Sequence, residues 1–375
     1  MPRRLPLIAS FALLPALASC GSDGAPQAPE PPSAAAMAAV VKDPGAPREQ
    51  LARAVDTLFT DEGIGETRAL LVYYRGEIVA ERYAEGYGPK TMFLGWSLSK
   101  TVTAVAIGIL VAEGKLRLDE SAPVAHWQRP GDARGDITLR QLLQMRSGLR
   151  HTESADPPYR ADTVRVLFMD GRDDMAAEAE AQPLEAEPGR KFEYSTNSSI
   201  ILSDIIARVL TPRRDAESRQ AAVRRFMHDR LYGPVGLSSM TAEYDAAGTM
   251  IGGAMIHATA RDWGRFGEFL RHSGSVKGAQ VVPRGWIAFM RRPSPRAPDY
   301  GAGLWLNRNS GGERRVLFPG QGSANLFGMA GHHGQYVLVS PEQKLTIVRF
   351  GRTSDADTRK LMDDLSRIAA IYPAD

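Results

Sequence analysis

The sequence predicts an α+β domain in which helices flank an antiparallel sheet and an all-helical lobe is inserted between the strands. Strand-like runs open the folded part, a mostly helical middle extends to about residue 270, and further strand-like runs and a helix close it. The regular alternation of strand and helix that a doubly wound sheet requires is missing. A chain of 375 residues that is 43% hydrophobic can bury the large core such a domain needs.

The opening elements follow from short apolar patterns. Residues 48–61 carry apolar side chains at a three-to-four spacing, which predicts a helix. Residues 69–74 and 77–83 are strand-like and are joined by Arg75–Gly76, which predicts a hairpin. Residues 101–112 are apolar almost throughout, so they predict a helix that is buried on all sides.

The middle of the chain is predicted to be helical, and its end is predicted to contain strands and a helix. Three helices are predicted in the middle, at residues 198–210, 216–231 and 259–270. Three strands are predicted later, at residues 303–308, 335–339 and 345–349. An amphipathic pattern over residues 357–371 predicts the closing helix.

The N-terminal residues have the pattern of an export signal. Residues 1–19 combine two arginines, an apolar run and small residues before Cys20, the only cysteine in the chain. Leu17–Cys20 resembles the bacterial lipobox, which implies that Cys20 is acylated and anchors the protein in the cell envelope. Gly21 then favours the outer membrane, with the protein facing the periplasm. The alternative is an ordinary signal peptide followed by an incidental cysteine.

A tether is predicted between this anchor and the folded domain. Residues 20–47 are rich in proline and alanine, a composition that predicts a semi-extended segment without a core of its own. The domain is predicted to span residues 48–375. After residue 20, no run in the sequence is long and apolar enough to predict a spanning helix.

Ser97 and Lys100 carry the clearest chemical signal, just before the predicted buried helix. A spacing of three at a helix start places both side chains on one face. A serine hydroxyl becomes a good nucleophile when a base takes its proton, and a partly buried lysine of lowered pKa can be that base. The N–H groups at the helix start suit a developing oxyanion. The alternative is an N-cap serine beside a solvated first-turn lysine.

The residues around this pair resemble the serine–lysine motif of the β-lactamase and penicillin-binding superfamily, and especially its class C-like branch. Five segments match in the order of that superfamily, and they are Gly95–Lys100, Ile137–Leu149, Pro188–Ser195, Gly252–Gly267 and Gly331–Gln335. The resemblance covers about residues 48–371 and implies the β-lactamase/transpeptidase-like fold. It is nearest to the 6-aminohexanoate-dimer hydrolases and the family VIII esterases.

The resemblance also implies roles for single residues. Ser97 would be the nucleophile that forms an acyl-enzyme, Lys100 would help to deprotonate it, and Tyr194 would be the second acid/base group. The backbone N–H groups of Ser97 and Gln335 would form the oxyanion hole. Three residues are expected to contact the substrate, and they are Trp96, His332 and Gly334.

Two departures from the family pattern bear on the substrate. Thr196 occupies the position where lactamases use an asparagine, and Asn197 comes one residue later. His332 replaces a lysine that pairs with the carboxylate of a β-lactam. Both departures favour a small carboxylic ester or amide. A peptidoglycan-directed D,D-peptidase, D-aminopeptidase or β-lactamase is the alternative enzyme, and a cell-wall peptide binder without turnover is the alternative outside enzymes.

Other classes of function find no support in the sequence. Basic and acidic residues are interleaved and leave a formal charge of only +3, so a nucleic-acid partner is not expected. The adjacent His332 and His333 are expected on opposite faces of a strand, so no metal site is predicted. No cofactor is expected, because phosphate-loop and dinucleotide fingerprints are missing from the sequence. The oligomeric state is left open.

Overall fold

The computed structural model describes residues 30–374. The predicted signal peptide, Cys20 and the first part of the predicted tether therefore lie outside the described residues. Within residues 30–374, the helices are α1 (Ala34–Ala39), α2 (Arg48–Thr60), α3 (Leu98–Ala112), α4 (Leu139–Leu143), α5 (Asp162–Phe168), α6 (Met175–Glu180), α7 (Thr196–Leu210), α8 (Ala216–Met227), α9 (Gly233–Val235), α10 (Ala260–Arg271), α11 (Arg284–Met290) and α12 (Thr358–Ile371).

The strands form one large antiparallel sheet and two small ones. The strands are β1 (Glu66–Tyr74), β2 (Glu77–Tyr83), β3 (Met92–Leu94), β4 (Thr241–Ala242), β5 (Ile256–Thr259), β6 (Ser275–Val276), β7 (Ala279–Gln280), β8 (Trp305–Leu306), β9 (Phe327–Gly331), β10 (Gln335–Ser340) and β11 (Leu345–Arg352). The large sheet has the order β2-β1-β11-β10-β9-β8, so the first and last long strands are neighbours at its centre. The small sheets are β3-β5-β4 and β6-β7.

Successive side chains of a strand point to opposite faces of the sheet, and both faces of the large sheet are covered by a core. On β1, Leu71 and Tyr73 pack into the core shared with α3, α7 and α10. Leu70 and Val72 pack into the second core, which is shared with α1, α2 and α12. The helical lobe, α4 to α8, is inserted between α3 and β4. This arrangement confirms the predicted α+β fold with its inserted helical lobe.

The sequence missed β9, which lies between β10 and β8 in the large sheet. Its residues are Phe-Gly-Met-Ala-Gly, and small residues have a low strand propensity. The segment is a strand because its backbone pairs with both neighbours and leaves little room for larger side chains. A Cβ added to Gly328 would lie 2.9 Å from a side-chain carbon of Leu338 on β10.

The described part of the predicted tether is packed on the domain, which differs from the prediction. Ala36 of α1 and Val40 are buried in the second core, and Val40 forms a β-bridge with Ala80. Arg48 holds the segment through hydrogen bonds to the carbonyl oxygens of Met37 (2.6 Å) and Val40 (3.0 Å). The proline and alanine content predicted an extended chain. It could not predict that Ala36 and Val40 pack against the second core, because that core is formed by residues distant in sequence.

Among residues 30–374, no helix combines the length and the apolar character needed to cross a bilayer.

Candidate active site

Ser97 lies on a tight turn between β3 and the first residue of α3. The preceding residue, Trp96, has φ of 49°, a left-handed conformation that is uncommon for a bulky side chain. The turn is fixed by a hydrogen bond to β5, in which the Gly95 N–H donates to the Ile256 carbonyl oxygen at 2.9 Å. Only glycine fits at position 95, because an added Cβ would lie 2.4 Å from the Trp263 ring. The nucleophile candidate is therefore presented on a constrained loop.

Lys100 is buried, with 3% of the residue exposed, and its ammonium group contacts three oxygens. The Nζ atom lies 2.9 Å from Ser97 Oγ, 2.8 Å from Thr196 Oγ1 and 2.8 Å from the Gly253 carbonyl oxygen. Burial lowers the pKa of Lys100, and the nearby Glu153 carboxylate acts in the opposite direction. The geometry thus places the amine of Lys100 where it can exchange a proton with Ser97.

Tyr194 completes the predicted trio on the other side of the lysine. Its ring centroid lies 5.0 Å from Lys100 Nζ, and the ring packs against Trp305 at 5.1 Å and Tyr300 at 5.7 Å. Burial raises the pKa of Tyr194 well above its usual range, while hydrogen bonding with the Ser97 side chain acts the other way. The structure therefore brings Ser97, Lys100 and Tyr194 together, as the sequence predicted.

Thr196 fills the place of the asparagine expected two residues after the tyrosine. Its hydroxyl accepts a hydrogen bond from Lys100 Nζ and donates one to Glu153 Oε1 at 2.7 Å. The neighbouring Asn197 is buried, and its Oδ1 has no hydrogen-bond partner among the described residues. The hydroxyl at position 196 thus links Lys100 to Glu153.

Glu153 is a site residue that the sequence analysis missed. Its Oε1 lies 3.7 Å from Lys100 Nζ, and 24% of its side chain is exposed. Burial would raise the pKa of Glu153, but the Lys100 charge and the hydrogen bonds from His151 and Thr196 lower it to about 2. A single glutamate four residues after Leu149 has no chemical signature of its own. Only the fold shows that it reaches the lysine.

The turn after β9 forms the opposite wall of the site. The edge of the His332 ring meets the Trp96 ring, with 5.4 Å between centroids, so two of the predicted substrate contacts lie together. Gly331 lies directly against the loop that carries Ser97. A Cβ at position 331 would lie 2.4 Å from the Gly95 carbonyl oxygen. Close packing of β9 against the Ser97 loop therefore requires glycine there.

The structure gives the surroundings of Gly334, whose contact with the substrate stays a prediction. This residue has φ of 77°, and an added Cβ would meet Arg349 and Leu361, both at 2.8 Å. Gly334 therefore packs toward β11 and α12, whereas the glycine against the Ser97 loop is Gly331. The sequence could not distinguish the two because both glycines flank the same His-His pair.

Gln335 begins β10 and stands opposite Gly331 in the ladder. Its side chain is turned toward β11, where it exchanges hydrogen bonds with the Gly351 backbone at 2.8 and 3.0 Å. It also donates to the carbonyl oxygens of His332 and His333. The side chain of Gln335 thus holds the turn in shape, and its oxyanion role stays a prediction.

The expectation that His332 and His333 point to opposite faces is wrong. Residues His332–Gly334 form a 3-10 turn, and His333 has φ of 60°, so the two rings pack with centroids 3.8 Å apart. Across the part of the chain that the structure describes, no group of three or more His, Cys, Asp or Glu residues has the geometry of a metal site.

The fold and the site together define a class of protein. A serine at the start of a buried helix, a lysine one turn later and a tyrosine facing both stand beside an antiparallel sheet, as in β-lactamase- and transpeptidase-like serine hydrolases. The chain belongs to the Beta-lactamase family, whose model matches residues 55–370.

Individual relatives agree with this assignment. The chain is 27% identical over 334 residues to a 6-aminohexanoate-dimer hydrolase of Paenarthrobacter ureafaciens, covering 85% of this chain and 82% of that protein. Its fold is similar to that of a family VIII carboxylesterase, with a TM-score of 0.62, 16% identity and coverage of 85% and 96% of the two chains. It is also similar to a D-stereospecific amidohydrolase from Streptomyces, with a TM-score of 0.58, 20% identity and coverage of 83% and 98%.

Proposed function

We propose that this protein hydrolyses a small carboxylic ester or amide through an acyl-enzyme on Ser97. The observation that carries the proposal is the 2.9 Å contact between Lys100 Nζ and Ser97 Oγ, with the Tyr194 ring beside the lysine. A pure binder would have no use for a buried amine held against a serine hydroxyl. The burial of Lys100 costs free energy that a binding role does not require.

In this proposal, the neutral amine of Lys100 takes the Ser97 proton while Ser97 Oγ attacks the substrate carbonyl carbon. The bond from that carbon to the leaving group then breaks, and Tyr194 gives the leaving group its proton. Water enters, loses a proton to the Tyr194 oxygen and attacks the ester carbon. Ser97 recovers its proton from Lys100 as the acid product leaves.

The oxyanion of the tetrahedral intermediate needs two N–H donors. The Ser97 N–H at the start of α3 is the first of them in this proposal. For the second, the close approach of Gly331 to the Ser97 loop favours the end of β9, at Gly331–His332, over the predicted Gln335. His332 and Trp96 then contact the substrate at the same wall.

The substrate class follows from the departures described above. A hydroxyl at Thr196 and an imidazole at His332 replace the amide and the ammonium group that hold a β-lactam in the lactamases. The similar proteins named above as a carboxylesterase and an amidohydrolase support ester and amide substrates. No cofactor takes part in the proposed reaction.

The test compares p-nitrophenyl butyrate hydrolysis by the full chain and by its Ser97→Ala variant, with folding checked by circular dichroism. The proposal predicts turnover in the first and its loss in the second. Equal activity in both would refute the role of Ser97. Where neither turns over, labelling by a fluorophosphonate decides: a protein that does not label at Ser97 is a binder, and one that labels calls for peptidoglycan and lactam substrates.

We also propose that the protein is a lipoprotein of the cell envelope, anchored through an acylated Cys20. The lipobox-like Leu17–Cys20 supports this location. The test is incorporation of radiolabelled palmitate in a Gram-negative host, with Cys20→Ala as the matched control. Label in the wild type that is absent from the variant is expected. An unlabelled, processed wild type would indicate an ordinary signal peptide.

A further inference from the structure

Glu153 is an ionised group beside Lys100 to which the reaction described above assigns no role. It reaches Lys100 from the segment between α4 and α5. Its Oε1 is 3.7 Å from Lys100 Nζ, and the Thr196 hydroxyl stands between them with bonds to both.

The carboxylate of Glu153 is held by three neighbouring residues, which are His151, Thr163 and Thr196. Oε2 accepts hydrogen bonds from the Thr196 N–H at 2.8 Å and the Thr163 hydroxyl at 2.9 Å, and it lies 2.7 Å from His151 Nε2. His151 Nδ1 is buried and has no partner among the described residues, which leaves Nε2 to carry the proton that faces Glu153. So many donors favour the charged carboxylate.

This anchored charge matters at one moment of the reaction. When Ser97 gives up its proton, Lys100 becomes an ammonium ion that is almost fully buried. A buried cation without a counter-charge is costly, so a lysine alone would be neutral but a poor proton acceptor. A fixed carboxylate 3.7 Å away stabilises the ammonium product without reorganisation.

We propose that Glu153 is a positioning residue that, with Thr196, fixes Lys100 against Ser97 and stabilises the lysine as it receives the serine proton. Its effect on the rate rests on the proposed function, whereas its effect on Lys100 does not. The other titratable groups that face this cluster are His151, Tyr194 and Tyr300. Burial raises the pKa of both tyrosines, and the Glu153 charge acts in the same direction.

The first test is direct titration of Lys100 in the full chain by NMR, with lysine labelled at the ε carbon. The chain has eight lysines, and the Lys100 signal is identified by its loss in Lys100→Met. In Glu153→Gln the midpoint of Lys100 should fall by about one to three pH units, because an opposite charge is removed while the shape is kept. Thr163→Val removes a hydrogen bond to the same carboxylate but no charge, so it should shift the midpoint far less.

The second test measures fluorophosphonate labelling of Ser97 against pH. Glu153→Gln should slow labelling on the order of 10²-fold at the optimum and move the acid limb to lower pH. Glu153→Asp keeps the charge and should restore part of the rate. An unchanged Lys100 midpoint in Glu153→Gln, or an equal shift in Thr163→Val, would overturn the inference. A wild type that does not label refutes the proposed function, and the lysine titration then still decides the role of Glu153.

Discussion

At the scale of single residues, Lys100 is the point where distant parts of the chain meet. Ser97 lies one helical turn away, while Thr196 and Gly253 are 96 and 153 residues away in sequence. Each places one oxygen within hydrogen-bond distance of Nζ, so the Lys100 amine has three partners. The position of the amine is therefore determined by three backbone segments, and small shifts in any of them would alter its contact with Ser97.

Tyr194→Phe tests the second acid/base group. Removing the hydroxyl should reduce p-nitrophenyl butyrate turnover by about 10²- to 10⁴-fold, because the water that attacks the acyl-enzyme loses its proton carrier. Burst kinetics separates acylation from deacylation. Tyr300→Phe removes a hydroxyl from the same aromatic cluster and is the matched control. A Tyr194→Phe enzyme as active as the control would exclude Tyr194 from the chemistry.

The pKa of Glu153 predicts a dependence of stability on pH. The pKa is about 2 in the folded protein against an ordinary value of 4.5, so its stabilising contribution is present above pH 4.5 and is lost as the pH falls toward 2. The difference in unfolding free energy between wild type and Glu153→Gln should therefore shrink over that window. Urea titrations at several pH values measure it, with the exposed Glu187→Gln as control. A difference that stays constant with pH would contradict this sign.

At the scale of elements, the position of α3 depends on its close contact with α11. Its residues from Leu98 to Leu110 are all buried, which agrees with most of the predicted range of residues 101–112, whereas Ala112 is exposed. Trp286 of α11 lies directly on the helix, where its Nε1 donates to the Ala104 carbonyl oxygen at 3.1 Å. A Cβ at Gly108 would lie only 2.2 Å from that same nitrogen. The contact between α3 and α11 is therefore possible only because residue 108 is a glycine.

Gly108→Ala tests this contact. The added methyl group must displace the indole, so the free energy of unfolding should fall by about 1–3 kcal/mol although alanine is the better helix former. Gly285→Ala in α11 is the matched control, because nothing lies within 4 Å of its added Cβ. That variant should be neutral or slightly stabilised. Chemical unfolding monitors both, and equal stabilities would show that α11 yields without cost.

At the scale of the whole molecule, the two ends of the described chain close the second core. β1 pairs with β11 over most of its length, and α2 and α12 cover the same face of the sheet. The segment before α2 adds to this face, since Ser33 bonds to Asp56 of α2 through both its backbone N–H and its hydroxyl. The N-terminal segment is therefore part of the domain from residue 33 onward.

Val40→Asp and Val41→Asp distinguish a packed segment from a tether. Val40 is 2% exposed and Val41 is 42% exposed. Burying a carboxylate at position 40 should cost about 2–4 kcal/mol of unfolding free energy, whereas position 41 should change it by less than about 0.5 kcal/mol. Thermal unfolding compares the two. Equal midpoints for both variants would show that the segment does not pack in solution.

The sequence was sufficient for the fold class, and it singled out Ser97, Lys100 and Tyr194, which the structure brings together. Periodicity in apolar residues located the main helices and the long strands, because an element with one buried face has apolar residues at regular spacing along the chain. Ser97 and Lys100 could be paired because they are neighbours on one helical turn, and Tyr194 followed from its motif. These features are local, so local sequence contains them.

Only the tertiary structure decided what meets across the chain. Glu153 reaches Lys100, the Thr196 hydroxyl bonds to both Lys100 and Glu153, and Gly331 lies against the Ser97 loop. β9 and the packed segment around Val40 were likewise missed. Each depends on contacts between residues far apart in sequence, where a small or polar side chain is selected by its neighbours in space. These neighbours cannot be identified from a single sequence.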